Sequence, residues 1–262
     1  MKVYLPIQLD PLNGKYLFIG RLAKAMSNLG ISVTSNVKAK VDVSLHIRVV
    51  WHPIKSKKKV IRLANALKGT YGSMRNPKRR GLIDLHQADG IVYQSKFGKR
   101  ICERFMGKHR GPTAIINNGA DLSFYDGIKP AKSKYNYNFL ACARWPSRKG
   151  KKWVVRGSKR LPDTIKSFLL ADIDDSHLWV AGDLSKCKGE VAKYRKFKNI
   201  SFLGYLTPKR LGAYYKLCDA TIHLSWLDAC PNSIVEAICA GCLPITNNVG
   251  GTHGLVRPSG GI

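Results

Sequence analysis

The chain has 262 residues, of which 44% are hydrophobic, enough for two small domains with packed cores and too many for a disordered protein. Its 45 Lys and Arg residues oppose 16 Asp and Glu residues, and the net charge of +29 predicts a polyanionic partner, a nucleic acid or an anionic membrane surface. We find neither an apolar run of the ~18 residues that a membrane-spanning helix needs nor a secretory signal, so the expected location is cytoplasmic, with peripheral attachment to a membrane as the alternative.

The first half of the chain alternates predicted strands with predicted helices. Strands are predicted at residues 3–9, 41–50 and 89–95, and helices at residues 16–29 and 96–106. A polar loop that contains Gly14 joins the first strand to the first helix. In that helix, apolar side chains recur at helical spacing, at Leu17, Leu22, Met26 and Leu29.

The second half begins after a polar linker at residues 129–136. Strands are predicted near residues 138–143, 177–181, 200–203, 219–224 and 243–247, with helices between them. Strands that alternate with helices are typical of α/β proteins with parallel sheets. In an open parallel sheet ligands bind beyond the carboxyl ends of the strands, so we expect the functional residues in the loops that follow them.

One such loop, in the segment 225–251, carries two carboxylates, Asp228 and Glu236, on either side of a helix start that Pro231 introduces. Proline suits the first helical position, and the backbone amides of Asn232 and Ser233 would be among the unpaired donors that attract phosphate there. Glu236, one turn further in, can reach past the phosphate to a hydroxyl group. The spacing predicts a site for a phosphorylated, hydroxyl-rich ligand; the alternative is an ordinary strand–helix–strand unit with solvated acids.

This segment resembles the Glu-x7-Glu signature of the retaining glycosyltransferase family 4, the group 1 glycosyl transferases, in which Asp228 stands where the family usually has Glu. The chain also resembles other segments of the family, in the same order as in the family, at residues 88–99, 116–124, 143–150, 178–182 and 199–204. The resemblance implies the α/β GT-B fold, two Rossmann-like domains facing a cleft: an acceptor-binding domain at residues 1–130 and a nucleotide-sugar-binding domain at residues 131–262. Relatives continue beyond the Gly250-Gly251 turn for longer than this chain does, so we expect a compact fold with a truncated C-terminus, its cleft unusually open or completed by a partner.

The resemblance also implies roles for residues. In the family the first acid, here Asp228, contacts the donor sugar, and the second, here Glu236, binds the nucleotide ribose. An Arg and a Lys, here Arg144 and Lys149, hold the donor diphosphate, whose charge grows as it leaves. Because cations of the protein can neutralise that charge, we expect no metal and no cofactor beyond the nucleotide-sugar substrate, for which a UDP-sugar is the commonest family choice.

Two sets of site residues follow. The predicted catalytic residues are Asp228, Arg144, Lys149 and His253. The predicted donor-binding residues are Gly14, Arg144, Lys149, Asn232, Ser233 and Glu236. Other histidines that could exchange protons are His46, His52, His86 and His223. The seven cysteines are expected to be reduced, and Cys239-Ala240-Gly241-Cys242 is expected to be a turn and not a metal site.

The acceptor has to be consistent with the charge. The predicted function is retaining transfer of a sugar to a hydroxymethylated pyrimidine in DNA, as in viral or phage enzymes that share the GT-B fold. Transfer to a lipid-linked or polysaccharide acceptor at an anionic membrane is one alternative, and a basic nucleic-acid-binding protein without transfer activity is another. The cations expected to contact DNA phosphates are Lys57, Lys58, Lys59, Lys78, Arg79, Arg80, Lys99 and Arg100.

Overall fold

The structure, a computed structural model, describes residues 1–7, 14–47, 54–63, 87–145, 159–226 and 228–256. The chain divides into two compact units, Met1–Gly119 and Ala120–Ile262. The predicted clusters at Lys78, Arg79 and Arg80, together with His52, His86 and Lys149, lie outside the described residues.

The first unit is built on a parallel six-stranded sheet, here called sheet 1. Its strands are β1 (Lys2–Tyr4), β2 (Ser32–Thr34), β3 (Val41–Ile47), β4 (Ser56–Leu63), β5 (Gly90–Tyr93) and β6 (Thr113–Ile115). They lie in the order β2-β1-β3-β4-β5-β6. Because the chain winds in opposite directions from β1 and β3, the switch point at which α/β sheets bind ligands lies between these two strands.

Two helices of the first unit begin and end close to the predicted positions. Helix α1 (Gly14–Asn28) packs Ile19, which is fully buried, against the sheet, together with Leu22 and Met26. The prediction for Leu29 was wrong: it follows the end of the helix and its exposed fraction is 78%. Helix α2 (Lys96–Met106) begins where predicted because the Ser95 hydroxyl accepts a hydrogen bond from Gly98 N at 3.0 Å.

Strands β2, β4 and β6 were not predicted from the sequence. β2 and β6 have three residues each, too few for a periodic pattern. The first half of β4 contains three lysines, and its buried residues are confined to its last three positions, Ile61 to Leu63. A solvated half-strand of this kind has no apolar alternation that would distinguish it from a basic loop.

The second unit is built on a parallel five-stranded sheet, here called sheet 2. Its strands are β7 (Tyr137–Cys142), β8 (Ser176–Ala181), β9 (Ile200–Gly204), β10 (Ala220–His223) and β11 (Leu243–Thr246). Its helices are α3 (Leu161–Ala171), α4 (Lys188–Tyr194), α5 (Pro208–Leu217), α6 (Asn232–Cys239) and α7 (His253–Val256), with a 3-10 turn at Leu122–Tyr125. Each strand agrees with its predicted span to within one residue at either end.

Helices cover both faces of sheet 2, as in a Rossmann fold. On one face Ile165 of α3 packs with Val180 and Ile222, and on the other Ala237 of α6 packs with Leu140. The predicted linker also contacts this unit, since Ala131 N donates to Ala213 O at 2.9 Å. The second unit therefore begins before the linker.

Candidate functional site

The strand order of sheet 2 determines where its ligand site lies. The order is β11-β10-β7-β8-β9, so the chain winds outward in one direction from β7 through β8 to β9 and in the other from β10 to β11. The switch point is the gap between the carboxyl ends of β7 and β10. Arg144 follows β7, whereas Asp228 and Glu236 follow β10. Two predicted site residues, Arg144 and Asp228, thus lie in the loops that border this gap, and a third, Glu236, lies in the helix that follows β10.

Asp228 forms an ion pair that the sequence did not predict. Its carboxylate accepts a hydrogen bond from the Nζ atom of Lys159, and only 14% of the aspartate side chain and 18% of the lysine side chain are exposed. Lys159 is one of 45 cations and follows no recognisable motif, so no local signal identified it. A buried carboxylate of this kind requires such a partner, because an unpaired buried charge is strongly unfavourable.

The Gly250-Gly251 turn holds the backbone of Asp228. Gly251 N donates to Asp228 O at 2.8 Å. Gly250 has a φ of 81°, and a Cβ atom there would lie 2.9 Å from Asp228 O. Only glycine allows this close approach without strain. The double glycine therefore fixes the backbone from which the Asp228 carboxylate extends. This contact is a structural reason for the two glycines that follow the Asp228–Glu236 segment.

A second contact holds Lys159 in place. The following residue, Arg160, has a φ of 50° and its Nε atom lies 2.9 Å from the Asp163 carboxylate. Its guanidinium lies 5.8 Å from the centre of the Trp226 ring, two residues before Asp228. The turn before α3 and the loop after β10 are thus joined at two adjacent points, which orients the lysine toward the aspartate.

Burial and charge act in opposite directions on the Asp228 carboxyl. Burial is the largest single influence and would raise its pKa. The charge and hydrogen bond of Lys159, with smaller contributions from His223 and the Cys230 backbone, together leave the pKa of Asp228 below its usual range. His223, at the end of β10, is 5% exposed. Burial and then Lys159 lower the pKa of His223 to about 3. At neutral pH the Asp228 carboxyl is therefore ionised and the His223 imidazole is neutral, so His223 does not exchange protons there.

This low pKa predicts a loss of stability in mild acid. The folded-state pKa of His223 lies below the value of about 6.5 for an unfolded histidine, so its stabilising effect is complete above pH 6.5 and is lost as the pH falls toward about 3. At pH 5 the loss is about 2 kcal/mol. Urea unfolding of wild type and His223→Gln at pH 7 and pH 5 should show an acid loss about 2 kcal/mol smaller in the variant. Equal losses of unfolding free energy in wild type and variant would contradict the lowered pKa of His223.

Glu236 lies in the second turn of α6, beneath the switch point. Burial and next the Glu236 carboxylate raise the pKa of Cys142, the last residue of β7, to about 12. Burial also raises the pKa of Tyr215 well above its usual value, with the Cys142 and Glu236 charges adding to the effect. Both groups therefore remain protonated, and neither adds negative charge next to Glu236.

Arg144 is exposed, but the chain around it is anchored. The buried Trp145 donates from its indole Nε1 to Ala181 O at 2.8 Å, and its backbone N donates to Asp183 O at 3.3 Å. Gly182 lies against the backbone of Ala143, so closely that a Cβ atom at Gly182 would be 1.8 Å from Ala143 O. The ends of β7 and β8 are therefore fastened together, with the Arg144 side chain in solvent at the carboxyl edge of the sheet.

The start of α6 differs slightly from the prediction. Pro231 is the cap residue and Asn232 the first helical residue, one position later than expected. Ile234 N donates to Pro231 O at 3.1 Å, so Asn232 and Ser233 form the first turn at the carboxyl edge. His253, exposed, begins α7 just after the double glycine. Both helix starts lie at the same edge as Asp228.

The predicted residues of the first unit lie at two opposite edges of sheet 1. Gly14 is the first residue of α1, on the carboxyl side of β1. Lys57 to Lys59 lie at the beginning of β4, on the amino side. The seven steps from Ser56 to Leu63 separate these edges by roughly 23 Å, so these lysines do not adjoin Gly14. Lys99 and Arg100 lie in the first turns of α2, which begins at the carboxyl edge.

Polar residues that the sequence reasoning passed over meet at the carboxyl edge of sheet 1. Arg62, 3% exposed, donates from Nη2 to Asn118 Oδ1 at 2.6 Å, and its guanidinium lies 4.0 Å from the centre of the Phe18 ring. Asn117 Nδ2 donates to Gln94 O at 2.7 Å. His46 is buried on β3 beside Tyr4. The edge therefore offers amide and guanidinium groups, while His46 belongs to the core.

Two expectations concern metals and membranes. All seven cysteines are free thiols, and the described residues contain no group of three or more His, Cys, Asp or Glu side chains that could hold a metal ion. Within the same ranges, none of the helices is both long and apolar enough to cross a membrane.

Comparisons with known proteins agree with this geometry. HepE of Anabaena in complex with UDP and glucose is 15% identical, with a TM-score of 0.64, and the match covers 97% of this chain and 82% of HepE. Sucrose-phosphate synthase of Thermosynechococcus elongatus is 15% identical, with a TM-score of 0.66 and coverage of 98% and 83%. WaaG, a glycosyltransferase involved in lipopolysaccharide biosynthesis, is 13% identical, with a TM-score of 0.64 and coverage of 98% and 84%. These likenesses confirm the α/β GT-B fold.

No curated protein sequence matches the chain. The family described as glycosyl transferases group 1 matches residues 129–261, half of the chain, including β7, the Asp228 loop and helix α6. The chain therefore belongs to the group 1 glycosyl transferases.

Proposed function

We propose that this glycosyltransferase uses a UDP-sugar, retains the anomeric configuration of the transferred sugar and needs no metal ion. The observation that carries the proposal is the arrangement at the switch point of sheet 2. Arg144 and Lys159 follow one bordering strand, β7, whereas Asp228 and Glu236 follow the other, β10, and the Lys159–Asp228 ion pair joins the two sides. A solved HepE structure contains UDP-glucose, which supports the choice of donor.

The donor would bind with its nucleotide toward α6. Glu236 would accept hydrogen bonds from the ribose hydroxyls. The diphosphate would meet the first turn of α6, at Asn232 and Ser233, and the guanidinium of Arg144. Lys149, whose family counterpart binds phosphate, would supply a further cation. These groups bind negative charge without a bound cation, which is why we expect metal independence.

Transfer with retention would take place on one face of the sugar. The bond between the anomeric carbon and the diphosphate oxygen breaks while the acceptor oxygen bonds to the same carbon from the same side. The acceptor's proton moves to the departing phosphate oxygen, so no protein base is needed. Arg144 and Lys149 would stabilise the negative charge that grows on the diphosphate.

Asp228 would hold the sugar hydroxyls. The bond from Lys159 uses one side of its carboxylate, and the remaining lone pairs can accept hydrogen bonds from a hydroxyl-rich ring. The Gly250-Gly251 turn keeps this carboxylate in place. His253 follows that turn and would sit beside the diphosphate, where a protonated imidazole would add a positive charge.

For the acceptor we propose a hydroxymethylated pyrimidine in DNA, with a lipid-linked or polysaccharide hydroxyl at an anionic membrane as the alternative. The support is the charge of +29. Of the cations expected to contact phosphates, Lys99 and Arg100 lie in the first turns of α2 at the carboxyl edge of sheet 1. Gly14 begins α1 at the same edge, where the acceptor hydroxyl would be placed.

A donor panel tests the proposed activity. UDP-glucose, UDP-galactose, UDP-N-acetylglucosamine and GDP-mannose would each be added at about 100 times their Kd, and one UDP-sugar should raise the Tm by roughly 5–10 °C. The same donor should be slowly hydrolysed, with the sugar first appearing in NMR spectra as the anomer present in the donor. Failure of all four to bind would refute the activity, and release of the opposite anomer would refute retention.

Metal independence makes a separate prediction. Because cations of the protein would neutralise the leaving diphosphate, treatment with EDTA should change the rate of UDP release by less than about twofold. UDP release would be followed in a coupled assay, with a manganese-dependent glycosyltransferase as the chelation control. A loss of activity that manganese or magnesium restores would contradict the prediction.

A further inference from the structure

A row of exposed cations lies on the amino edge of sheet 1, opposite the edge that carries Gly14. All strands of this sheet are parallel, so the residues that begin them share one edge. Six of the exposed cations at this edge, here called the basic edge, are Lys40, Lys55, Lys57, Lys58, Lys108 and Arg110. They belong to three segments far apart in sequence, which lead into β3, β4 and β6.

Two carboxylates connect the start of β4 to its neighbours β3 and β5. Lys57 Nζ lies 2.8 Å from Asp42 Oδ1 on β3, and Lys58 Nζ lies 3.1 Å from Asp89 Oδ1 at the start of β5. Asp89 also accepts from Lys59 N at 2.8 Å. The lysine contacts and backbone hydrogen bonds keep the pKa of both aspartates below the usual range. The edge is thus a positioned array of charges, with six exposed cations against these two acids.

The dimensions of the array suit a regular polyanion. From β3 to β6 the sheet advances by three strand spacings, or roughly 14 Å. Duplex DNA carries one phosphate charge per ~1.7 Å of its axis, so about eight phosphates fall within this span. Strand β4 holds Lys57 and Lys58, and the other four cations lie in the turns that lead into β3, β4 and β6.

The composition of the surroundings distinguishes between classes of polyanion. Within the described part of residues 1–63, the exposed large apolar side chains are Met1, Leu29 and Val37, and none is aromatic. Proteins that bind single strands stack bases on aromatic rings, and peripheral membrane proteins insert an amphipathic helix with large apolar anchors. In the described residues the basic edge consists of strand starts and turns, and none of the exposed large apolar side chains there is aromatic.

We propose that the basic edge is a docking surface for the phosphate backbone of duplex nucleic acid, distinct from the site of sugar transfer. It lies roughly 23 Å from the carboxyl edge of its own sheet, the length of β4. A duplex bound there is read without regard to sequence, since phosphate contacts carry no base information. Docking on this edge does not depend on sugar transfer.

The test compares two triple variants of the full chain. Lys40→Gln, Lys55→Gln and Arg110→Gln remove three cations of the basic edge, none of which forms one of the ion pairs above. Lys193→Gln, Lys196→Gln and Lys209→Gln make the same change in charge on exposed positions of the second unit. Binding of an unmodified 20-base-pair duplex would be measured by fluorescence anisotropy from 50 to 200 mM NaCl, with UDP-glucose hydrolysis measured in parallel.

We expect the basic-edge variant to bind at least tenfold more weakly at 100 mM NaCl and to lose about 2–3 units from the slope of log affinity against log salt. The control variant should keep the wild-type slope to within about one unit, and hydrolysis should be unchanged in both. Equal losses in the two variants, or absence of duplex binding by wild type, would overturn the proposal. Binding to vesicles of 30% phosphatidylserine without duplex binding would overturn it in favour of a membrane surface.

Discussion

Replacing Glu236 by alanine is expected to weaken UDP binding by about 2–3 kcal/mol, which is roughly 30- to 150-fold in Kd. The reason is that a carboxylate accepting from ribose hydroxyls makes charge-assisted hydrogen bonds, and its removal leaves those hydroxyls unpaired against the end of β7. Isothermal titration of wild type and variant with UDP measures the difference directly.

A matched control separates nucleotide binding from the effects of lost charge. Glu190 lies in the first turn of α4, away from the β7–β10 gap, and Glu190→Ala makes the same change in net charge. Its UDP affinity should remain within about twofold of wild type. Glu236→Gln keeps the size of the side chain and should show an intermediate affinity. An unchanged Kd in Glu236→Ala would remove this residue from the nucleotide site.

The second large effect is expected at the buried ion pair. Lys159→Ala leaves the Asp228 carboxylate without its cation in a site where 14% of the side chain is exposed, and the free energy of unfolding should fall by about 3–5 kcal/mol. The carboxyl would respond with a raised pKa, because the lysine is the main influence that opposes burial. Urea unfolding at pH 7 measures the loss.

Two further variants test whether an unpaired buried charge causes the loss of stability in Lys159→Ala. Lys57→Ala breaks the pair with Asp42, which is open to water, and should leave the free energy of unfolding nearly unchanged. Lys159→Met combined with Asp228→Leu removes both charges and should recover most of the stability that Lys159→Ala loses. If Lys159→Ala lowers the free energy of unfolding no more than Lys57→Ala does, Lys159 does not compensate a buried charge on Asp228.

The two ion pairs also show how position in the fold changes the worth of one chemical interaction. Both join a lysine amine to an aspartate carboxylate, and one is mostly buried while the other is open to water. Water screens the attraction between the exposed charges, whereas the protein interior screens the attraction between the buried charges much less. Because Asp228 also faces the predicted sugar position, its lysine partner affects both the stability of the second unit and the arrangement of the site.

Local patterns in the sequence determined much of this protein. Short apolar runs predicted all five strands of sheet 2, and β8 and β10 are buried along almost their whole length. The helix at residues 96–106 was predicted correctly, and its start is set locally because the Ser95 side chain caps Gly98 N, three residues on. The Asp228–Glu236 spacing placed two acids about a strand end and a helix start, since both depend on neighbouring residues only.

Contacts between distant residues were decided by the tertiary structure alone. Lys159 and Asp228 are 69 positions apart, and among 45 cations no local rule selects the one that reaches a given carboxylate. Lys57 to Lys59 had the composition of a basic loop, yet parallel pairing with β3 and β5 made them a strand start on the edge opposite Gly14. The physical reason is common to both: a helix cap or a strand period is set over a few residues, whereas an ion pair or a shared edge depends on strand order.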